Sequence, residues 1–216
     1  MSMLELLRTD QAEGGRIEGV AIALVANNKD PDGLGRVKLK YPWREDGQES
    51  FWARIAVPMA GHDRGTYFLP EVGDEVLVAF DKGDIQHPYV LGALWNGKDT
   101  PPADNADGEN NTRRIKSRSG HQITMFDKAG KETLELKTQA GHVLLMDDTA
   151  GSATITVKDS GGSNTITIDS AQNTITVQSA MSLKLKSQSV DIEAGASMNI
   201  KASGTITIQG ALVRIN

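Results

Sequence analysis

Cysteine is absent from the 216 residues of this chain. Disulfide bonds and thiolate metal sites are therefore excluded, and the chain is indifferent to the redox state of its compartment. No run of about 18 apolar residues occurs, so the sequence predicts no membrane-spanning helix. Residues 1–8 lack the basic stretch and the small-residue cleavage site of a signal peptide. We therefore expect the protein to be made and assembled in the cytoplasm.

The second half of the chain lacks proline and almost lacks aromatic residues. All seven prolines lie at or before Pro102, and of the ten aromatic residues only Phe126 lies beyond Trp95. Residues 1–102 carry 11 Lys/Arg and 16 Asp/Glu, a net charge of −5, whereas residues 103–216 carry 12 of each. The junction between the halves is poor in apolar residues and rich in turn formers, as linkers are. We predict an N-terminal arm (1–15), a barrel (16–97), a linker (98–112) and a β-helical spike (113–216).

The spike segment contains a repeat of apolar residues spaced two apart, as in strands with one buried face. From Ile155 onward, successive pairs follow at steps of 11, 9, 8, 7, 8, 8 and 7 residues. Such a repeat takes precedence over other signals in deciding architecture. The pairs are Ile155/Val157, Ile166/Ile168, Ile175/Val177, Leu183/Leu185, Val190/Ile192, Met198/Ile200, Ile206/Ile208 and Val213/Ile215.

One copy of this ladder would leave its strand edges and an apolar stripe exposed. Three copies wound about one axis pair the edges and merge the stripes into a narrow core. The pairs Ile123/Met125, Leu134/Leu136 and Val143/Leu145 are spaced less regularly, and we expect hairpin-containing layers there, before the regular helix. Threonines 165, 167, 174 and 176 and lysines 184 and 186 are expected outside. The expected trimer core comprises Ile166, Ile168, Ile175, Val177, Leu183, Leu185, Val190, Ile192, Ile206 and Ile208.

The first half contains five or six short strand-like runs with turn residues between them and no amphipathic helix, which predicts a small closed barrel or sandwich. The runs are residues 19–27, 35–43, 51–58, 67–70, 75–80 and 87–95. In the second run, Val37, Leu39 and Tyr41 are expected to point inward, and Arg36, Lys38 and Lys40 outward. The fold class is therefore all-β.

Four ordered segments carry a resemblance: GRVKLKYP (35–42), WARIAV (52–57), LPEVGDEVLVAF (69–80) and GDIQHPYVLGALWN (83–96). They resemble the OB-fold domain of the phage baseplate assembly protein V and VgrG spike family. The resemblance implies an N-terminal OB-fold barrel followed by an intertwined trimeric β-helix needle. It also implies a structural, non-enzymatic central spike of a contractile injection apparatus: a phage tail, a type VI secretion system or an extracellular injection particle. Such a spike is driven through the target envelope, contacts the target membrane transiently and is released outside the cell.

The same resemblance implies partners besides the homotrimer. Family members usually carry a large hub ahead of the barrel, whereas only about 18 residues precede the barrel in this sequence. We therefore expect a separate hub protein at the barrel end, together with tube and baseplate proteins. The expected hub contacts are Leu4, Leu6 and Leu7. Some family spikes end in an iron-binding His-x-His, which this sequence lacks, so a separate PAAR-type tip protein is expected at the C-terminal end. Its expected contacts are Leu212, Val213, Arg214, Ile215 and Asn216.

No catalytic, cofactor or metal constellation stands out in the sequence. Asn28, Asp30 and Asp32 begin a calcium-loop pattern, but Leu39 occupies the position that needs a bidentate glutamate, so a hairpin turn is the preferred interpretation. The four histidines, at positions 62, 87, 121 and 142, have no metal-ligand spacing. Trimerisation leaves open an ion on the three-fold axis.

Two other function classes remain as alternatives. A trimeric glycan-binding or glycan-degrading tail spike or adhesin also uses a β-rod, although such rods usually display aromatic and acidic residues. An OB-fold nucleic-acid binder needs a basic face. The stripe Arg36, Lys38, Lys40 and Arg44 is opposed by the acidic excess of its half, so we expect no nucleic acid.

Overall fold

The computed structural model describes residues 16–44 and 47–215 of the chain. Within these ranges the chain forms strands, turns and extended segments and no helix, which confirms the all-β prediction; accordingly, no helix there is available to span a membrane. The strands are β1 (Val20–Asn27), β2 (Lys38–Lys40), β3 (Arg54–Ile55), β4 (Ala60–Gly61), β5 (Arg64–Gly65), β6 (Glu75–Asp81), β7 (Asp84–Ala93), β8 (Thr112–Lys116), β9 (Gln122–Phe126), β10 (Thr133–Lys137), β11 (Val143–Asp147), β12 (Thr154–Lys158), β13 (Thr165–Asp169) and β14 (Thr174–Gln178).

The first unit of the chain, which ends at Lys116, is built on a curled five-stranded sheet with the order β2-β1-β6-β7-β3. Strands β1, β2, β6 and β7 pair antiparallel, and β3 joins β7 in parallel. Register shifts interrupt the β1–β2 and β6–β7 ladders. Such bulges bend strands and increase twist, which is how a small sheet curls toward a barrel.

The core of this unit confirms the alternation that the sequence predicted. Val37, Leu39 and Tyr41 are fully buried, and they pack with inward residues of the other strands. Burial raises the pKa of the Tyr41 phenol to about 12, because the charged phenolate would lie among apolar side chains. The remaining buried hydrophobic residues of the core are Ala23, Val25, Ala53, Val76, Val78, Phe80 and Val90.

Two details of the barrel differ from the sequence prediction. Residues 67–70 form no strand; instead a two-stranded hairpin, β4–β5, precedes them. Gly65 closes this hairpin with φ of 154°, and a Cβ there would stand 2.6 Å from the carbonyl oxygen of Met59. Only glycine, which has no Cβ, permits that close approach of the backbone, so the pattern of apolar residues in the sequence does not predict this hairpin.

The strands β8 to β14 form a seven-stranded meander in chain order. Every neighbouring pair from β9 to β14 is antiparallel, and the ladders run five residues without a shift. The expectation that hairpin layers stop before Ile155 is therefore wrong: hairpins continue to Gln178, because each strand end is followed by a tight turn that returns the chain.

Beyond the meander the chain changes character. Residues 180–215 contain bends and extended backbone but neither helix nor strand. Their side chains are exposed throughout, including the apolar pairs; Met181 is 97% exposed. An extended segment with period-two apolar residues acquires strand hydrogen bonds only from a neighbour, and none of the described residues serves as that neighbour.

Candidate functional site

Cross-strand pairing in the meander aligns apolar residues into two rows, which we call the apolar columns. Because antiparallel partners lie on the same face, each column continues across all six strands from β9 to β14. The first column comprises Met125, Leu134, Met146, Ile155, Ile168 and Ile175, and the second comprises Ile123, Leu136, Leu144, Val157, Ile166 and Val177.

The apolar columns form an open face of the sheet. Of their twelve side chains, all except Leu144 are 38–72% exposed. A continuous apolar stripe of this kind is rare on a lone soluble chain and marks an association surface. Burying it would remove apolar area from water at roughly 25 cal/mol per Å².

The opposite face of the same sheet is mostly polar. Its central row pairs Thr124 with Glu135, Glu135 with Leu145, and then continues through threonines 156, 167 and 176. The flanking rows include Lys137, Lys158 and Asp169. The sheet is therefore amphipathic, and only one of its faces is suited to a dry interface.

One assignment within this pattern corrects the sequence analysis. The pair Val143/Leu145 was expected to continue the apolar repeat, but Leu144 and Met146 occupy the columns instead. Val143 and Leu145 lie on the opposite face, where Val143 is buried. In the sequence VLLMD four apolar residues run together, so alternation alone does not say which two share a face with the neighbouring strands.

The expected trimer-core residues fall into two groups. Ile166, Ile168, Ile175 and Val177 lie in the apolar columns, on the face opposite Thr165, Thr167, Thr174 and Thr176. The other six, Leu183, Leu185, Val190, Ile192, Ile206 and Ile208, lie in the extended segment and are 50–73% exposed. Leu144 and Met146 are column members that the sequence pattern did not single out; the one available signal was their two-residue step, which matches that of Leu134 and Leu136.

The two expected terminal interfaces lie at the end of the described residues or outside them. The expected hub contacts Leu4, Leu6 and Leu7 lie outside the described residues, as does Asn216. Leu212, Val213, Arg214 and Ile215 lie at the end of the extended segment and are exposed.

The β1–β2 turn, where a partial calcium pattern stood, is held by an arginine. Arg36 donates hydrogen bonds from Nε and Nη2 to Asp30 at 2.8 and 2.7 Å, and it also contacts Asp32. Backbone amides of Asp32, Leu34 and Arg36 donate to the Asp30 carboxylate as well. Together these donors hold the pKa of Asp30 well below its usual range. The guanidinium of Arg36 supplies the positive charge that pairs with both carboxylates, which agrees with the interpretation of this segment as a hairpin turn.

The described residues contain no group of three His, Asp or Glu side chains arranged to hold a metal ion. His87 pairs through Nδ1 with Asp84 at 2.9 Å on the barrel. The amide of Gln86 and this contact hold the pKa of Asp84 below its ordinary value. His121 and His142 lie in the second unit, in turns of the meander.

Comparison with known proteins defines the class of the first half. The family model of the "Type VI secretion system/phage-baseplate injector OB domain" matches residues 21–95. These residues include β1 to β7 almost entirely, so the similarity to this domain family covers the N-terminal barrel.

The relatives extend the likeness beyond the barrel. The chain is 30% identical to the type VI secretion system spike protein VgrG3 of Vibrio cholerae over 55% of its own length and 13% of that protein. It is 33% identical to the spike protein VgrG1c of Pseudomonas aeruginosa over 48% of its length and 16% of that protein. A third relative, named actin cross-linking toxin VgrG1, of Vibrio cholerae, is 30% identical over 55% of the chain and 12% of that protein.

The family match and these relatives show that about half of the chain is similar to VgrG-type spike proteins, and that the similarity includes a baseplate-type OB domain. The aligned part spans less than a fifth of each relative named. The relatives are mostly named as spike proteins, and one is named as a toxin.

Proposed function

We propose that this chain is the structural central spike of a contractile injection apparatus, a homotrimer that is driven through a target envelope. The observation that carries the proposal is the pair of apolar columns on one open face of the meander. Three copies that turn these faces toward a common axis would bury all three stripes at once. The similarity to relatives that are named as spike proteins supports the same role.

The extended segment supports the same assembly by a separate route. Residues 180–215 carry the eight-residue apolar repeat, and their backbone groups lack strand partners among the described residues. Backbone donors and acceptors need partners once they are removed from water. Copies of this segment wound about one another would supply those hydrogen bonds and would bury Leu183, Ile192 and Ile206 together. We place the needle in this segment and the hairpin layers ahead of it.

The proposed partners follow from the role. The barrel end would meet hub, tube and baseplate proteins, and residues 212–216 would bind a tip protein of the PAAR type. In this role the rod would bear the force of penetration, and we propose no catalytic step for the described residues. The spike would leave the producing cell with the injection apparatus.

Oligomeric state tests the proposal directly. Native mass spectrometry and light scattering on the full chain are expected to give a trimer of 3 × 23.2 kDa. Because interlaced chains must break many strand pairs together, the trimer should also persist in detergent and on heating. A folded, monodisperse monomer at micromolar concentration would refute the spike assembly. If the trimer is found, co-purification with sheath and tube proteins would identify the apparatus.

A further inference from the structure

Two turns along one edge of the meander repeat the same sequence pattern. Residues 117–121 and 138–142 both read hydroxyl-x-x-Gly-His, 21 residues apart. In the first, the amide of His121 donates to Ser117 Oγ at 3.0 Å, and in the second the amide of His142 donates to Thr138 Oγ1 at 3.0 Å. Each histidine is therefore held in place by its own turn.

Each histidine also reaches the next turn along the edge. The amide of Gln139 donates to His121 Nδ1 at 3.2 Å, and the amide of Ser160 donates to His142 Nδ1 at 3.2 Å. Close stacking of the turns permits this. A Cβ at Gly120 would stand 3.4 Å from Gln139 Cγ, and Gly120 has φ of 96°. We call these two contacts the turn bridges.

The next turn makes a related bridge with a side chain that does not titrate, and there the donor is a serine hydroxyl instead of a backbone amide. Residues 159–164 lack histidine, and Asn164 stands at the closing position. Asn164 is held by its own turn through a 2.7 Å bond to Asp159, and Ser179 Oγ donates to Asn164 Oδ1 at 2.8 Å. The bridge is thus a recurring device of the fold, and only its first two copies depend on imidazole.

An imidazole accepts a hydrogen bond at Nδ1 only when that nitrogen is unprotonated, so the proton of the neutral ring lies on Nε2. A proton taken from solvent onto Nδ1 turns the acceptor into a donor that faces another N–H. His121 and His142 are in contact with solvent, so protons have access to them. The charged groups that line the same groove are Lys137, Lys158 and Asp159.

These neighbours favour release once a ring is protonated. Lys137 and Lys158 are cations and repel an imidazolium. Asp159 opposes them as a carboxylate that stays charged in mild acid, because bonds from the amide and the side chain of Asn164 hold its pKa below the ordinary value; the groove thus carries two cations against one anion.

We propose that His121 and His142 form a pH-sensitive brace that ties successive turns of the meander together at neutral pH and releases them in acid. The brace goes beyond the spike role and does not depend on trimer formation, since both partners of each bridge belong to one chain. Its release loosens the rod segment nearest Ser117 while leaving the Asn164 bridge intact. Histidine is the side chain whose charge changes between about pH 5 and 8, so acidification over that range is the trigger.

Hydrogen exchange on the full-length protein tests the brace. After correction for intrinsic rates, the amides of Gln139 and Ser160 are expected to lose about tenfold in protection between pH 8 and pH 5, which is the worth of one modest hydrogen bond. The double variant His121→Asn with His142→Asn, which copies the side chain that the next turn already uses at Asn164, is expected to keep its protection at both values. Equal protection of the wild-type amides at pH 8 and pH 5, or an equal loss in the variant, would overturn the proposal.

A second measurement uses the unmodified chain. Nitrogen-15 spectra of labelled histidine report which ring nitrogen carries the proton. At pH 8, His121 and His142 are expected as Nε2–H tautomers. If either ring carries its proton on Nδ1 at pH 8, the bridge to the next turn does not form, and the brace is refuted whatever the variants do.

Discussion

Replacement of Ile168 by aspartate is the sharpest probe of the apolar columns. Ile168 lies in the first column between Ile155 and Ile175 and is 38% exposed in a single chain. In the proposed trimer its side chain is covered by the other two copies. Full burial of an isoleucine is worth about 1.5–3 kcal/mol, so the remaining exposed part is worth about 1 kcal/mol per chain.

The carboxylate adds a larger cost than the lost apolar contact. Three aspartates would meet near one axis, each costing several kcal/mol when removed from water without a partner. The total therefore reaches about 10 kcal/mol per trimer, which is comparable with the whole folding free energy of a typical domain. We expect Ile168→Asp to abolish the trimer in native mass spectrometry at neutral pH.

Two controls separate this account from general damage. Thr167→Asp places the same charge one residue away on the polar face, and it should leave the trimer yield within a factor of about two. Lower pH should partly restore the Ile168→Asp trimer, because neutral carboxyls are much cheaper to bury. A normal yield of Ile168→Asp trimer, or an equal loss from Thr167→Asp, would show that the columns do not face the axis.

Two further predictions concern the barrel. Asp30→Asn should lower the melting temperature at pH 7. Arg36 and backbone amides depress the pKa of Asp30, so the ionised carboxylate stabilises the fold above the unfolded-state pKa near 4, and this stabilisation is lost as the pH falls toward the folded-state pKa. The difference in melting temperature between the variant and the wild type should therefore narrow between pH 4 and pH 2. A difference that stays constant with pH would contradict this. Gly65→Ala should destabilise the barrel by about 2 kcal/mol or more, because its Cβ meets Met59, whereas Gly97→Ala, with open space around it, should not; equal effects on chemical unfolding would refute the reasoning.

Much of this architecture could be predicted from local pattern. Strands β1, β6 and β7 lie where alternation or apolar runs placed them, and the inward residues Val37 and Leu39 are buried as expected. The ordered strings around residues 35–42 and 69–96 carry the family resemblance in the sequence itself. These features depend on residues that are close in the chain, because the two-residue periodicity of a strand determines which side chains share a face.

Features that depend on register or on distant partners escaped the sequence. In the run VLLMD, Leu144 and Met146 lie in the apolar columns because the hairpin turns on both sides set the strand register. A shift of the register by one residue would exchange the two faces of the strand. The hairpin at Gly65 arises from a carbonyl approach that no apolar pattern encodes.

The sequence by itself determined the all-β class, the change from barrel to repeat and the amphipathic alternation of the rod, since each follows from residue type and spacing along the chain. The tertiary structure alone decided which side chains form the apolar columns, that Arg36 occupies the carboxylate turn, and that His121 and His142 bridge to turns 18 residues further on. The physical reason is that a hydrogen bond or a cross-strand contact needs two groups within a few ångströms, and only the folded backbone brings distant residues that close.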